Sequence, residues 1–153
     1  MKKWVLIVCL SALLNAEDGI KKVVFDLTTG DSTVFEKSIL SGIVFTKNHY
    51  ESILEELDVA VVIHGDAYKF FVKNLDLTKY KNDSALKKKQ AEFEKRLASL
   101  SSSYHVTFLM CAVGMKKNNL SKEHIYPFVT PIANSTIGLI DKQNEGYAYI
   151  PIR

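Results

Sequence analysis

The sequence is poor in cysteine, in proline and in the short motifs that announce most enzyme classes. Two cysteines and three prolines occur in 153 residues. There is no C-x-x-C pair, which excludes a self-contained dithiol cycle. A Gly-rich dinucleotide fingerprint, a phosphate-binding P-loop with its lysine and a nucleophile elbow around a serine are all missing. His49, His64, His105 and His124 form no pair at metal-ligand spacing, so no metal site is expected, and no cofactor. Basic residues outnumber acidic ones only by 20 to 17 and do not cluster as a nucleic-acid surface requires. With 47% hydrophobic and 24% charged residues the composition is that of an ordinary globular chain.

What is present begins with an N-terminal segment of its own character. Lys2-Lys3 precedes an apolar run from Trp4 to Leu14, broken only by Ser11, and Leu14-Asn15-Ala16 leads into Glu17-Asp18-Gly19. This is the pattern of a secretory signal peptide over residues 1–16, cleaved after Ala16. The run is short for a membrane span of about 20 residues. A single domain over 17–153, exported to the periplasm and free of the membrane after cleavage, is the expectation. Cleavage removes Lys2 and Lys3 and no acid, leaving 18 basic against 17 acidic residues. It also removes Cys9, so Cys111 becomes the only thiol in an oxidising compartment. An unpaired cysteine there implies an intermolecular bond, a reactive thiol or deep burial.

Two stretches read as buried strands. Tyr104 to Met110 is mixed aromatic and β-branched, and Val59 to Val62 is a continuous apolar run typical of a strand covered on both faces. Further strands are expected near 20–27, 128–132 and 147–151, with 104–110 central and Pro131 limiting the pairing of its strand. Between them lie helical patterns. Asp31, Ser32 or Thr33 can cap a helix whose Phe35, Ile39 and Ile43 recur every four residues, with a break expected near Asn48. A short helix is expected over Ala67–Lys73. Asp83 or Ser84 precedes a helix with Leu86, Phe93, Leu97 and Leu100 on one face, and Lys87-Lys88-Lys89 on its solvated side. Ser135 can cap a helix over Thr136–Gln143, and Gly146 stands where a helix end takes a left-handed residue. The alternation argues for an α/β fold with a mostly parallel five-stranded sheet flanked by helices on both faces.

In a parallel sheet every strand ends on the same edge, where ligands collect. That edge gathers Gly30 with Asp31, His64 with Gly65, Cys111, and Asn134 with Ser135. A thiolate at Cys111 would gain from N–H groups at a helix start and from Lys116 or Lys117. Gly114 weakens any helix there. His64 can orient or deprotonate a sulfur ligand, or be an ordinary hydrogen-bonded residue at a strand end.

Taken in order, Phe25-Asp26 with Gly30-Asp31, Val61-Val62-Ile63-His64-Gly65, Phe108-Leu109-Met110-Cys111 and Gln143-Asn144-Glu145-Gly146-Tyr147-Ala148-Tyr149-Ile150 resemble the DsrE/DsrF-like family. The resemblance implies a three-layer sandwich of flavodoxin-like or DsrEFH-like form and homo-oligomers, often trimers or hexamers. For some members it implies sulfur relay through a persulfide on the strand-end cysteine, here Cys111. Sulfur donor and acceptor proteins would be its partners. The departures are the export signal and the residues Ala112-Val113-Gly114-Met115, which do not follow a strict catalytic motif. The expected function is a sulfur carrier with Cys111 as its reacting residue and His64, Gly65, Gly30 and Asp31 around the ligand. The alternative is a non-catalytic binding or assembly module with Cys111 merely packed. Phe70, Phe71, Tyr147 and Tyr149 exceed what a small core needs and are expected at interfaces.

Overall fold

Five parallel strands form one sheet in the order β4-β3-β2-β1-β5, in a computed structural model that describes residues 20–153. The signal-peptide segment expected over residues 1–16 lies outside the described residues. The strands are β1 (Lys21–Leu27), β2 (Leu57–Ile63), β3 (Thr107–Cys111), β4 (Val129–Ile132) and β5 (Ala148–Ile152). The expected α/β architecture with helices on both faces is the one observed.

β2, whose Val59 to Ile63 are fully buried, takes the middle of the sheet. β3 was expected there and instead lies between β2 and β4. It also starts at Thr107 and not at Tyr104. The intervening residues are the exit of a helix: Tyr104 N–H donates to Ser99, Val106 N–H donates to Leu100, and His105 has a φ of 54°. Each edge strand carries a proline, Pro131 in β4 and Pro151 in β5. Proline has no N–H, so a strand accepts it at an edge.

The first connection is a helix in three parts, α1 (Ser32–Phe35), a π-helical segment (Glu36–Ser41) and α2 (Gly42–Ser52). Asp31 is its cap, accepting from the N–H groups of Thr33 and Val34 at 2.7 and 2.9 Å. Steps of four between Phe35, Ile39 and Ile43 exceed the 3.6-residue α-helical turn. The wider i→i+5 winding of the π segment keeps all three on one fully buried face. The helix runs through Asn48 without the expected break. The expected helix at 67–73 is a 3-10 turn over Ala67–Phe71, followed by a second over Leu75–Leu77.

α3 (Ser84–Ser102) is capped by Asp83, which accepts from Leu86 N–H at 2.9 Å, and buries Leu86, Phe93, Leu97 and Leu100. α4 (Ala112–Lys117) starts directly at the end of β3. α5 (Ser135–Asn144) is capped by Asn134, whose side-chain oxygen accepts from Ile137 N–H at 2.8 Å, and not by Ser135. α5 ends in a Schellman arrangement: Tyr147 N–H donates to Lys142, Gly146 N–H donates to Gln143, and Gly146 has a φ of 89°.

The layers are unequal. The α1–α2 helix, α3 and the 3-10 turn of 67–71 cover one face, where Phe35 stacks on Phe70 at 4.1 Å and Phe71, Phe93 and Phe108 pack around them. α5 covers the other over a small cluster of Val24, Ala60, Val62 and Tyr147. Phe70, Phe71 and Tyr147, expected at interfaces, are buried within the single chain; of that group only Tyr149 is exposed, at 39%.

Candidate functional site

Cys111 is the last residue of β3 and the cap position of α4. The strand-to-helix junction sets its side chain at the C-terminal edge of the sheet, where it lines a pocket. The thiol is only 6% exposed. Burial alone would push it up. Against that stand the backbone N–H groups of Gly114 and Ser135 and the hydroxyls of Tyr68 and Ser135, all facing the sulfur. Together they outweigh burial and hold the thiol below its ordinary value. These groups flank the sulfur without closing ideal hydrogen bonds on it. The well-formed bond of Tyr68 goes to the Cys111 carbonyl oxygen, at 2.9 Å.

Each donor has a local cause. Asn134 takes the cap of α5, which leaves the N–H and hydroxyl of Ser135 free for the sulfur. Gly114 stands in α4 despite its poor helix propensity. A Cβ at this position would lie 1.8 Å from the Tyr68 hydroxyl. The glycine expected to weaken a helix is therefore what allows Tyr68 to reach Cys111. The expected lysine effect is not among the causes of the shift, although Lys117 does line the pocket in front of the sulfur.

That pocket measures about 440 Å³. Cys111, His64, Gly65, Tyr68 and Ser135 line it, with Lys79 and Lys117 at its wall and no carboxylate in its lining. Gly65 has a φ of 62°, and a Cβ there would meet the Thr28 carbonyl oxygen at 2.8 Å. Only glycine turns the chain so tightly after β2, and the turn is what puts His64 at the pocket wall.

The remaining expected residues lie elsewhere. Gly30 and Asp31 line a separate concavity of about 540 Å³ with Asp66, Lys69, Tyr80 and Asp83. Asp31 is occupied as a helix cap, and Asp83 pairs with Lys69 at 3.0 Å. Burial, then the Asp66 carboxylate, push the Tyr80 hydroxyl up to about 12. A groove of about 530 Å³ runs beside β1 and β5 over Val23, Leu57 and Ile150, and neither a cysteine nor a histidine lines it. Chemistry therefore points to the smaller Cys111 pocket. Among the described residues no cluster of three or more His, Cys, Asp or Glu could hold a metal.

Behind His64 the structure joins two residues, Asp26 and Tyr149, to which the sequence pattern gives no role in the site. Asp26 of β1 is 5% exposed. Its carboxylate takes His64 Nε2 at 2.5 Å and the Tyr149 hydroxyl at 2.6 Å. The available signal was a carboxylate inside the apolar run Val23-Val24-Phe25-Asp26-Leu27, since a buried carboxylate needs partners.

The sequence of residues 22–152 matches the DsrE/DsrF-like family. The chain belongs to that family. A DsrE-like chain of this size is similar to an uncharacterized protein of Aquifex aeolicus (strain VF5), at 30% identity over 99% of this chain and 64% of that protein. The chain thus spans somewhat less than two thirds of that relative's length. Its fold is that of the protein of unknown function MTH1491 from Methanobacterium thermoautotrophicum, with a TM-score of 0.62, 18% identity and coverage of 86% of this chain and 98% of that one. In this DsrE-like fold the strand-end cysteine and the glycine-turned His64 share one pocket.

Proposed function

We propose that this DsrE-like protein is a sulfur carrier that holds a persulfide on Cys111. The observation that carries the reading is the set of donors facing the sulfur, which favours the thiolate even though the residue is nearly buried. The thiolate attacks the outer sulfur of a donor persulfide. The donor's S–S bond breaks and its electron pair leaves on the donor thiolate. A partner thiolate then attacks the outer sulfur of the Cys111 persulfide and releases Cys111 as a thiolate. No second thiol remains after loss of Cys9 to release the sulfur internally, so an external acceptor completes the cycle. Lys79 and Lys117, with no carboxylate lining the pocket, suit an anionic donor such as an inorganic polysulfide.

The test is intact mass after incubation with polysulfide. The wild type is expected to gain one sulfur, reversibly with reductant, and Cys111→Ser none. A folded wild type that takes up no sulfur would overturn the carrier. The 6% exposure of Cys111 favours one other reading, a binding module with a packed cysteine. Resistance of Cys111 to alkylation in the folded protein would establish that reading instead.

Export to the periplasm and self-association complete the proposal. The first rests on residues 1–16, and N-terminal sequencing from the envelope fraction should begin near Glu17. The second rests on family membership and on apolar residues left exposed on α5 and β5, Ile137, Ile140 and Ile150. Light scattering that gives a monomer at micromolar concentration would refute it.

A further inference from the structure

Three strands contribute to one part-buried polar network behind the Cys111 pocket. Asp26 comes from β1, His64 follows β2, and Tyr149 belongs to β5. A carboxylate accepts and does not donate, so His64 Nε2 must carry the proton in the 2.5 Å contact. The second carboxylate oxygen is held by the Tyr149 hydroxyl, which fixes the carboxylate plane. The hydrogen bond to Asp26, and then partial desolvation, push the Tyr149 hydroxyl up and keep it in its donating form. With Nε2 committed, Nδ1 is the imidazole nitrogen left to the pocket, and no hydrogen bond engages it among the described residues. A ring nitrogen free of hydrogen bonds that lines the same pocket as a thiol is the arrangement of a base and its nucleophile.

We propose that His64 is the catalytic base and acid of sulfur transfer at Cys111, with Asp26 and Tyr149 as the positioning residues that hold its Nε2–H form. The proposal rests on the carrier reading above. In the step, Nδ1 takes the proton of the Cys111 thiol, and the sulfur attacks the outer sulfur of a donor persulfide. The donor S–S bond breaks, its electron pair goes to the inner sulfur, and that sulfur takes the proton back from Nδ1. A thiol and a persulfide become a persulfide and a thiol, with no external oxidant or reductant. The imidazolium formed in between faces the Asp26 carboxylate, which stabilises it as the acid of a nucleophile–histidine–acid arrangement does. A merely structural Asp26–His64 bond would give the same folded geometry but no dependence of thiol chemistry on Nδ1.

The experiment measures two rates at neutral pH in the folded protein: sulfur uptake from inorganic polysulfide, and alkylation by iodoacetamide, which needs the thiolate but no sulfur chemistry. His64→Ala is expected to slow both by about 100-fold or more, the range general acid–base catalysis supplies. Added imidazole should restore much of the loss, an effect that repair of a structural defect would not give. Asp26→Asn should slow both rates, leave the final gain at one sulfur, and resist imidazole. Nitrogen-15 spectra of the wild type should show His64 as the Nε2–H tautomer. Wild-type rates in His64→Ala, or an Nδ1–H tautomer in the wild type, would overturn the proposal. If the wild type alkylates in a His64-dependent way but takes up no sulfur, the carrier reading fails and His64 stands as the base of a different thiol reaction. A variant that does not fold is recognised by its thermal melt, and Tyr149→Phe then supplies the milder test, with a smaller rate loss expected.

Discussion

On one face of the sheet Phe35, Phe70, Phe71, Phe93 and Phe108 interlock beneath two long helices, and no charged group is buried among them. On the other face a single helix of ten residues covers four small or half-polar positions, and Asp26 and Tyr149 lie beside them. The difference follows from what each face must do. Aromatic rings bury large area per residue and tolerate no polar gap. A site that moves protons needs carboxylate, imidazole and hydroxyl groups near one another, and these displace apolar contacts. The thick face supplies stability that the thin face gives up. Cys111 stands where the two meet: it packs with the thick-face cluster, while Ser135 approaches its sulfur from the helix of the thin face.

The sharpest way to break this contrast is Phe35→Ala. Phe35 is fully buried at the centre of the aromatic group, and its loss should cost about 3–5 kcal/mol. Thermal or urea melts would measure it, and a loss below about 1 kcal/mol would show that the thick face is not the stabilising one. Next in size is Gly114→Ala at the seam. Its Cβ would collide with the Tyr68 hydroxyl, so about 1–3 kcal/mol of strain is expected. Tyr68 should shift from the Cys111 carbonyl, and the thiol should titrate higher because it loses a donor. Combining Gly114→Ala with Tyr68→Phe should recover part of the stability.

The smallest effect belongs to the thin face. Asn134→Ala removes the cap of α5 and should cost about 0.5–2 kcal/mol. Its informative consequence is in pH. The Ser135 N–H is one of the donors that lower the Cys111 value, and loosening it withdraws support from the thiolate. The alkylation rate of the wild type should reach half its maximum below the ordinary thiol range, and Asn134→Ala should move that midpoint upward. A midpoint that stays put would separate α5 from the thiol's chemistry.

The sequence disclosed the thick face far better than the thin one. Spacings of four between Phe35, Ile39 and Ile43, and of seven or fewer between Leu86, Phe93, Leu97 and Leu100, depend on burial that periodicity reports directly. The convergence of Cys111, His64 and Gly65 on one pocket followed from parallel strands ending on one edge. Gly30 and Asp31 end on that edge too, but the helix cap diverts Asp31, and edge position alone does not set which concavity a residue enters. Asp26 and Tyr149 are 123 residues apart and joined by one hydrogen bond. No local pattern encodes that pairing, because it depends on β5 returning beside β1 after three other crossovers. Gly114 was legible as a poor helix former, while the reason for it, the Tyr68 hydroxyl, comes from a different segment.

Prolines at both margins of the sheet have a bearing on crowding in concentrated solution. An outer strand with all its amides free is an invitation for a neighbouring chain to extend the ladder, and such extension has no natural stopping point. Pro131 and Pro151 interrupt the ladder on opposite flanks, so a foreign strand laid along either side finds a missing donor near the middle of a stretch only four or five residues long. Fibrous growth through backbone pairing is thereby discouraged on both flanks at once. Replacing the two prolines with threonine would be expected to open a route to ribbon-like aggregates in a chain whose interior, Cys111 pocket and helices had not been touched.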